Sequence, residues 1–123
     1  MKNLSIRVYK ILRLINTLGI ASCLKYLSTP KGKLVTLAIQ GNTVSVRKGT
    51  PDLNVAVSCL NGEFDILRYL LPEHYDGTIV DAGGYIGTAT IALNDIFPSA
   101  KMVVIEPSNE NLEVLRQNVA HLP

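Results

Sequence analysis

The stretch Val80-Asp81-Ala82-Gly83-Gly84-Tyr85-Ile86-Gly87 decides the fold. A short apolar run over residues 78–80 leads into it, and three glycines follow just before a helical pattern begins. Glycines between a strand and a helix allow positive φ and let backbone N–H groups approach a ligand closely. The stretch therefore predicts a strand, a glycine turn and a helix, in that order.

The residues that follow extend this pattern into one βαβα unit. Helical periodicity covers residues 89–96 and ends before Pro98, and residues 102–105 form an apolar run typical of a strand covered on both faces. Ser108 can cap a second helix, with Glu110 in its first turn. Two parallel strands are too few for a covered sheet, so we expect the N-terminal part of a larger α/β domain.

Upstream of this unit the sequence period changes. Residues 33–48 alternate apolar and polar side chains around Gly41-Asn42, which predicts a hairpin with a primed turn. Thr50-Pro51 is typical of a helix N-terminus, and residues 64–71 predict a further short helix. The chain is thus divided into an N-terminal amphipathic helical segment, a hairpin with helices, and the start of a core, over residues 1–30, 31–76 and 77–123.

The first segment has the pattern of a basic amphipathic helix. Arg7, Lys10 and Arg13 lie off its apolar face, and Gly19 is expected to divide it in two. We expect this helix to pack on its own domain, with peripheral contact to a membrane surface as the alternative. Cations interrupt each apolar run, so neither a membrane span nor a signal peptide is predicted. The apolar face comprises Val8, Ile11, Leu12, Ile15 and Leu18.

Composition and charge narrow the class further. With 47% apolar and 18% charged residues in 123, the chain is neither a disordered tail nor a low-complexity linker. Residues 1–51 hold nine basic side chains and no acid, whereas residues 52–123 hold ten acids and three bases. Either the two halves complement each other or the basic half meets an anionic surface; we expect no nucleic-acid partner.

Cys23 and Cys59 have no metal-binding spacing, which favours buried thiols, no metal site and a cytoplasmic location.

Two classes of cofactor use a glycine turn of this kind. A dinucleotide site has the pattern G-x-G-x-x-G, and here Ala82, Gly84 and Gly87 occupy those positions, so the first glycine is missing. S-adenosylmethionine carries an ammonium group that Asp81 can bind, whereas a carboxylate there would be poorly placed beside a pyrophosphate. Glu106 can accept the ribose hydroxyls of either cofactor. Asp81 therefore favours S-adenosylmethionine.

The quoted stretch, together with Val104-Ile105-Glu106-Pro107, resembles the FkbM family of S-adenosylmethionine-dependent methyltransferases. The family signature is V-D-x-G-A-N-I-G followed by V-x-A-x-E-P, and the resemblance covers about residues 45–120. It implies a Rossmann-like class I methyltransferase fold, truncated here after the second core strand and its helix and preceded by a helix and a β-hairpin. Gly84-Tyr85 stands where the family has Ala-Asn, so the contact of that Asn is lost or replaced by the Tyr hydroxyl. The implied cofactor-binding residues are Asp81, Gly83, Gly84, Tyr85, Ile86, Gly87, Thr88, Glu106 and Pro107.

The resemblance also implies a reaction, O-methylation of a hydroxyl on a sugar, glycan, polyketide or similar small acceptor. Such a transfer depends on positioning, and a general base can help. We assign that role to neither His74 nor His121, and we expect the acceptor pocket to lie beyond these 123 residues. A non-catalytic fragment that self-associates is one alternative. An NAD(P)-dependent oxidoreductase is the other, which Ala82 and Asp81 disfavour.

Overall fold

The computed structural model describes the backbone of residues 2–123 and the side chains from residue 5 onward. Within these residues the chain forms an α/β fold with four α-helices and two separate two-stranded sheets. A π-helical turn (Cys59–Glu63) and a 3₁₀ helix (Asp65–Tyr69) lie between α2 and β3. The helices and strands are α1 (Lys2–Ser28), β1 (Leu34–Ile39), β2 (Asn42–Arg47), α2 (Asp52–Ser58), β3 (Thr78–Ala82), α3 (Thr88–Ile96), β4 (Lys101–Ile105) and α4 (Asn109–Val119).

The predicted hairpin is confirmed, with its turn one residue earlier than expected. Strands β1 and β2 pair antiparallel, and Asn42 already belongs to β2 as the partner of Ile39. The two central turn residues are Gln40 and Gly41, with φ of 49° and 80°. Positive φ at both positions is the signature of a type I′ turn, which matches the twist of the flanking strands. The primed turn is right, and its placement on Gly41-Asn42 was wrong.

Helix α1 bends at Gly19, as predicted, because this residue has φ 74° and ψ 167°. After the bend the helix packs on β1, where Cys23 is buried and the Ser22 hydroxyl accepts a hydrogen bond from the Ala38 N–H at 3.2 Å. The expectation that this helix packs on its own domain is confirmed only in part, because Leu18 is buried and Ile15 half-buried, whereas Val8, Ile11 and Leu12 of the same face are exposed. No helix within residues 2–123 has both the length and the apolarity needed to cross a bilayer.

The βαβα unit is present, and β3 and β4 pair parallel. Both α3 and α4 lie against one face of this pair. On that face Asp81 of β3 contacts α3, and its register partner Val104 lies next to the glycine turn, against which α4 also packs. On the other face Val80, Val103 and Ile105 are exposed. This agrees with the expectation that two parallel strands are too few for a covered sheet. The apolar run predicted the strand correctly, but no described helix packs on its second face.

The hydrophobic core lies between the hairpin and the helices, away from the parallel sheet. Asn118 of α4 crosses this core and is almost fully buried. Its side chain accepts from the Ser45 N–H at 2.7 Å and donates to the carbonyls of Ser45 at 3.0 Å and Ile86 at 2.8 Å. One amide thus fastens β2 to the glycine turn. The core cluster comprises Leu18, Val35, Leu37, Ile39, Val44, Val46, Leu53, Ala56, Ile86, Ile91 and Val114.

Candidate functional site

The turn between β3 and α3 has the left-handed backbone that its glycines predicted. Gly83 and Gly87 have φ of 88° and 83°, and Tyr85 between them has φ of 49°. A non-glycine residue in this region costs about 1 kcal/mol or more, so it needs support from its surroundings. Tyr85 has that support at both ends: its N–H donates to Glu106 at 2.8 Å and its hydroxyl to Asp52 at 2.5 Å.

The three glycines of the turn have different roles. A Cβ on Gly84 would lie 2.2 Å from Cγ1 of Val104, and one on Gly87 would lie 2.9 Å from Cγ1 of Val119. Both glycines therefore let the turn pack closely on β4 and α4. A Cβ on Gly83 would meet nothing within 4 Å. Gly83 is the member of this set with open space in front of it, where a ligand can approach the backbone.

Alanine substitutions separate these roles. We expect Gly84→Ala to lower the free energy of unfolding by about 1–3 kcal/mol, through overpacking against Val104. Gly83→Ala should lose only about 1 kcal/mol, from the strained φ. Gly41→Ala is the matched control, because Gly41 has φ 80° and its Cβ would also meet nothing within 4 Å. Urea denaturation measures all three, and a Gly84→Ala variant no less stable than Gly83→Ala would contradict the packing role.

The backbone donors of this turn are bound by the chain itself. The N–H groups of Gly83 and Gly84 donate to the Ile105 carbonyl at 2.8 and 3.0 Å, and that of Gly87 donates to the Gly84 carbonyl at 2.7 Å. Tyr85 gives its N–H to Glu106. A pyrophosphate site needs such donors free, because they neutralise the anion. Four N–H groups of the turn are thus occupied, and a phosphate would have to bind the first N–H groups of α3, which have no partner within the helix.

Glu106 follows β4 and is fixed by three donors. The N–H groups of Ser108 and Tyr85 lie 2.8 Å from its two oxygens, and the Asn111 amide donates at 3.3 Å. The Ser108 hydrogen bond is the main reason that the pKa of Glu106 lies below its usual range. The group is therefore a carboxylate at neutral pH. Two donors occupy Oε1 and one occupies Oε2, so one lone pair, on Oε2, remains for a hydroxyl group of a ligand.

Asp81 precedes the turn at the end of β3, on the helix-covered face of the sheet. Its side chain is half-buried, and the Thr90 hydroxyl of α3 donates to Oδ2 at 2.6 Å. Thr90 is itself buried, so it holds the carboxylate in one orientation. Asp81 is the last residue but one of β3 and Glu106 directly follows the parallel strand β4, which brings both acids and Gly83 to one edge of the sheet.

A ring of hydrogen bonds connects this edge to the hairpin. Asp52 is 0% exposed and accepts from the Arg47 N–H and guanidinium at 2.8–3.0 Å and from the Tyr85 hydroxyl. Arg47 also donates to the Asn111 side-chain oxygen at 2.9 Å, and Asn111 donates to Glu106. Since Glu106 binds the Tyr85 N–H, the ring closes. It fixes Glu106 and the turn together.

The ionisation of this ring follows from its contacts. Burial raises the pKa of the Asp52 carboxyl, but the hydrogen bonds from Arg47 and Tyr85 outweigh it, and the net pKa lies below the usual value. The hydrogen bond to Asp52 raises the pKa of Arg47. Burial, and then the same carboxylate, raises the pKa of Tyr85. At neutral pH the ring therefore holds a charged pair and a neutral phenol.

The structure brings only part of the predicted site together. Asp81, Gly83 and Glu106 share the edge of the sheet, and Pro107 is exposed beside them. The side chains of Ile86 and Thr88 are buried in the interior, so a ligand at the open edge would not touch them.

The Tyr85 hydroxyl is turned away to Asp52, and the suggested replacement of the family Asn by this hydroxyl does not fit that contact. Arg47, Asp52 and Asn111 were missed as members of one network. The sequence indicated only that all three fall within residues 45–120, which the resemblance covers.

Comparison of the chain with protein-family models, curated proteins and solved structures finds no match. The site is therefore interpreted from its own residues.

Proposed function

We propose that this protein is an S-adenosylmethionine-dependent methyltransferase of the FkbM type that acts on a hydroxyl of a small acceptor or glycan. The observation that carries the proposal is the pair of acids at the carboxyl edge of β3 and β4, together with the open Gly83 of the turn that follows β3. Ligands of open α/β sheets bind at this edge, outside the carboxyl ends of the strands. A Rossmann-like class I methyltransferase fold is part of the same proposal.

The residues at the edge fit the polar groups of this cofactor. Asp81 would bind the ammonium of its methionine part, in the orientation that Thr90 sets. Glu106 would accept one ribose hydroxyl on Oε2, because it is ionised and one lone pair of that oxygen is free. Gly83 offers backbone with no side chain in the way. The bound cofactor would supply an electrophilic methyl group, and the contribution of these residues is to hold and orient it.

A nicotinamide dinucleotide fits the same edge less well. Its pyrophosphate needs free backbone donors, whereas Gly83, Gly84 and Tyr85 give theirs to Ile105 and Glu106. Asp81 would add repulsion beside the phosphates. Because these N–H groups are already bonded within the chain, they favour S-adenosylmethionine over a dinucleotide. This argument is independent of the missing glycine in the sequence pattern.

Isothermal titration of the chain with S-adenosylhomocysteine, S-adenosylmethionine and NAD tests the proposal. We expect both sulfur compounds to bind at one site and NAD to give no heat of binding. Transfer of labelled methyl groups to the hydroxyl but not the amine members of a panel of acceptors would support the reaction. Binding of NAD alone, or of neither sulfur compound, would overturn the proposal.

A further inference from the structure

The first part of α1 stands apart from the rest of the protein. Residues 6 to 13 are all exposed, so about two turns of helix bury little surface against the rest of the protein. Val8, Ile11 and Leu12 form an apolar stripe at helical spacing, and Leu12 is the most exposed of the three at 59%. Uncovered apolar surface of this kind marks an interaction site.

The charges on this helix all have one sign. Arg7, Lys10 and Arg13 alternate with the apolar positions, and no acid occurs in the first 51 residues. A second α1 would bring the same cations against it, so pairing of two such helices is opposed by repulsion. The complementary partner is an apolar surface that carries negative charge.

A second apolar stripe follows the bend at Gly19. Ile20, Leu24 and Leu27 are exposed at steps of four and three residues, while Cys23 faces β1. Lys25 is also exposed on this part of the helix. Both halves of α1 therefore combine exposed apolar side chains with cations, and the helix is attached to the domain through Leu18 and the residues after the bend.

A groove of about 810 Å³ runs between α1 and α2. Leu14, Leu18 and Val57 line it, and Lys10 and Arg13 of the exposed turns lie along it as well. An apolar lining beside two cations is the chemistry that binds an anionic amphiphile. The groove thus extends the combination of apolar and cationic side chains from α1 towards α2.

We propose that α1 attaches the protein to the surface of an anionic phospholipid bilayer. Its apolar side chains enter the boundary between headgroups and acyl chains, and its cations bind the anionic headgroups, as basic amphipathic helices do. The chain lies on the bilayer and does not cross it. This inference rests on α1 and is independent of the cofactor site.

Vesicle co-sedimentation tests the proposal with the full 123-residue chain. We expect binding to phosphatidylcholine vesicles that contain phosphatidylserine, weaker binding at high salt, and much weaker binding to pure phosphatidylcholine. Lys10→Gln and Arg13→Gln should each weaken binding about fivefold, which corresponds to about 1 kcal/mol per charge. The double variant Ile11→Ser, Leu12→Ser should weaken it about tenfold or more.

Ile66→Ser, Leu70→Ser is the matched control. These two side chains are 62% and 69% exposed, as apolar as those of α1, but they lie among acids near Asp65. The control should bind vesicles like the parent. Equal binding to neutral and anionic vesicles would overturn the proposal, as would equal losses in the control. A parent that binds no vesicles, and whose dimer in sedimentation velocity dissociates in the Ile11→Ser, Leu12→Ser variant, would assign α1 to a second copy instead.

Discussion

Replacing Asp81 by alanine is expected to weaken the binding of S-adenosylhomocysteine by about 30-fold to 5,000-fold, which corresponds to 2–5 kcal/mol. The carboxylate is half-buried and held by Thr90, so the ligand ammonium would lose a charge-assisted partner in a partly desolvated position. Asp81→Glu keeps the charge and should lose much less. Isothermal titration measures each dissociation constant.

Asp76→Ala provides the control for this effect. Asp76 is an exposed acid just before β3, so its loss changes the net charge equally without touching the edge of the sheet. Its binding constant should stay within about twofold of the parent, since exposed charges are screened. If Asp81→Ala and Asp81→Glu both bind S-adenosylhomocysteine like the parent, Asp81 does not hold the ammonium.

The second large effect is expected in stability. Asp52→Asn should lower the free energy of unfolding by about 3 kcal/mol, because the Arg47 guanidinium would lose its carboxylate in a largely buried position. The Arg47 side chain is 19% exposed, which puts the loss at the lower end of the range for buried ion pairs. Asp65→Asn is the control, since that exposed acid lies 3.7 Å from Arg68. It should change stability by less than about 0.5 kcal/mol.

The same substitution should alter the pH dependence of stability. The pKa of Asp52 is lower in the folded chain than the ordinary value of about 4 that it has when unfolded. The unfolded state therefore binds the proton first as the pH falls, and the contribution of Asp52 to stability is present above about pH 4 and lost below it. Urea denaturation between neutral and acidic pH should show a steeper fall for the parent than for Asp52→Asn. Parallel curves would contradict the lowered pKa.

The features that could be predicted from the sequence are those that neighbouring residues determine. The Gly19 bend and the βαβα order depend on local backbone preference and on hydrophobic period. Ser108 caps α4 by accepting from the Asn111 N–H at 3.4 Å, as its position before the helical pattern indicates. Asp81 and Glu106 could be placed at one edge because parallel strands end together.

The features that could not be predicted depend on residues far apart in the chain. The Tyr85 hydroxyl reaches Asp52 across 33 positions, and nothing in the local pattern of either residue indicates that contact. The exposure of the second face of β4 also depends on residues far away in the chain. An apolar run shows that a strand suits burial, but Val103 and Ile105 are buried only if another element packs on them.

The contacts that fasten the hairpin also close its edges to other chains. A two-stranded sheet has two free edges, and each offers unpaired N–H and C=O groups to which a strand of another molecule can add. Here Asn118 takes both backbone groups of Ser45 on β2, and Ser22 takes the Ala38 N–H on β1. Strand addition at either place would have to displace a side chain that is already bonded. The most β-prone part of this protein is therefore protected from edge-to-edge aggregation by one asparagine and one serine, each supplied by a helix.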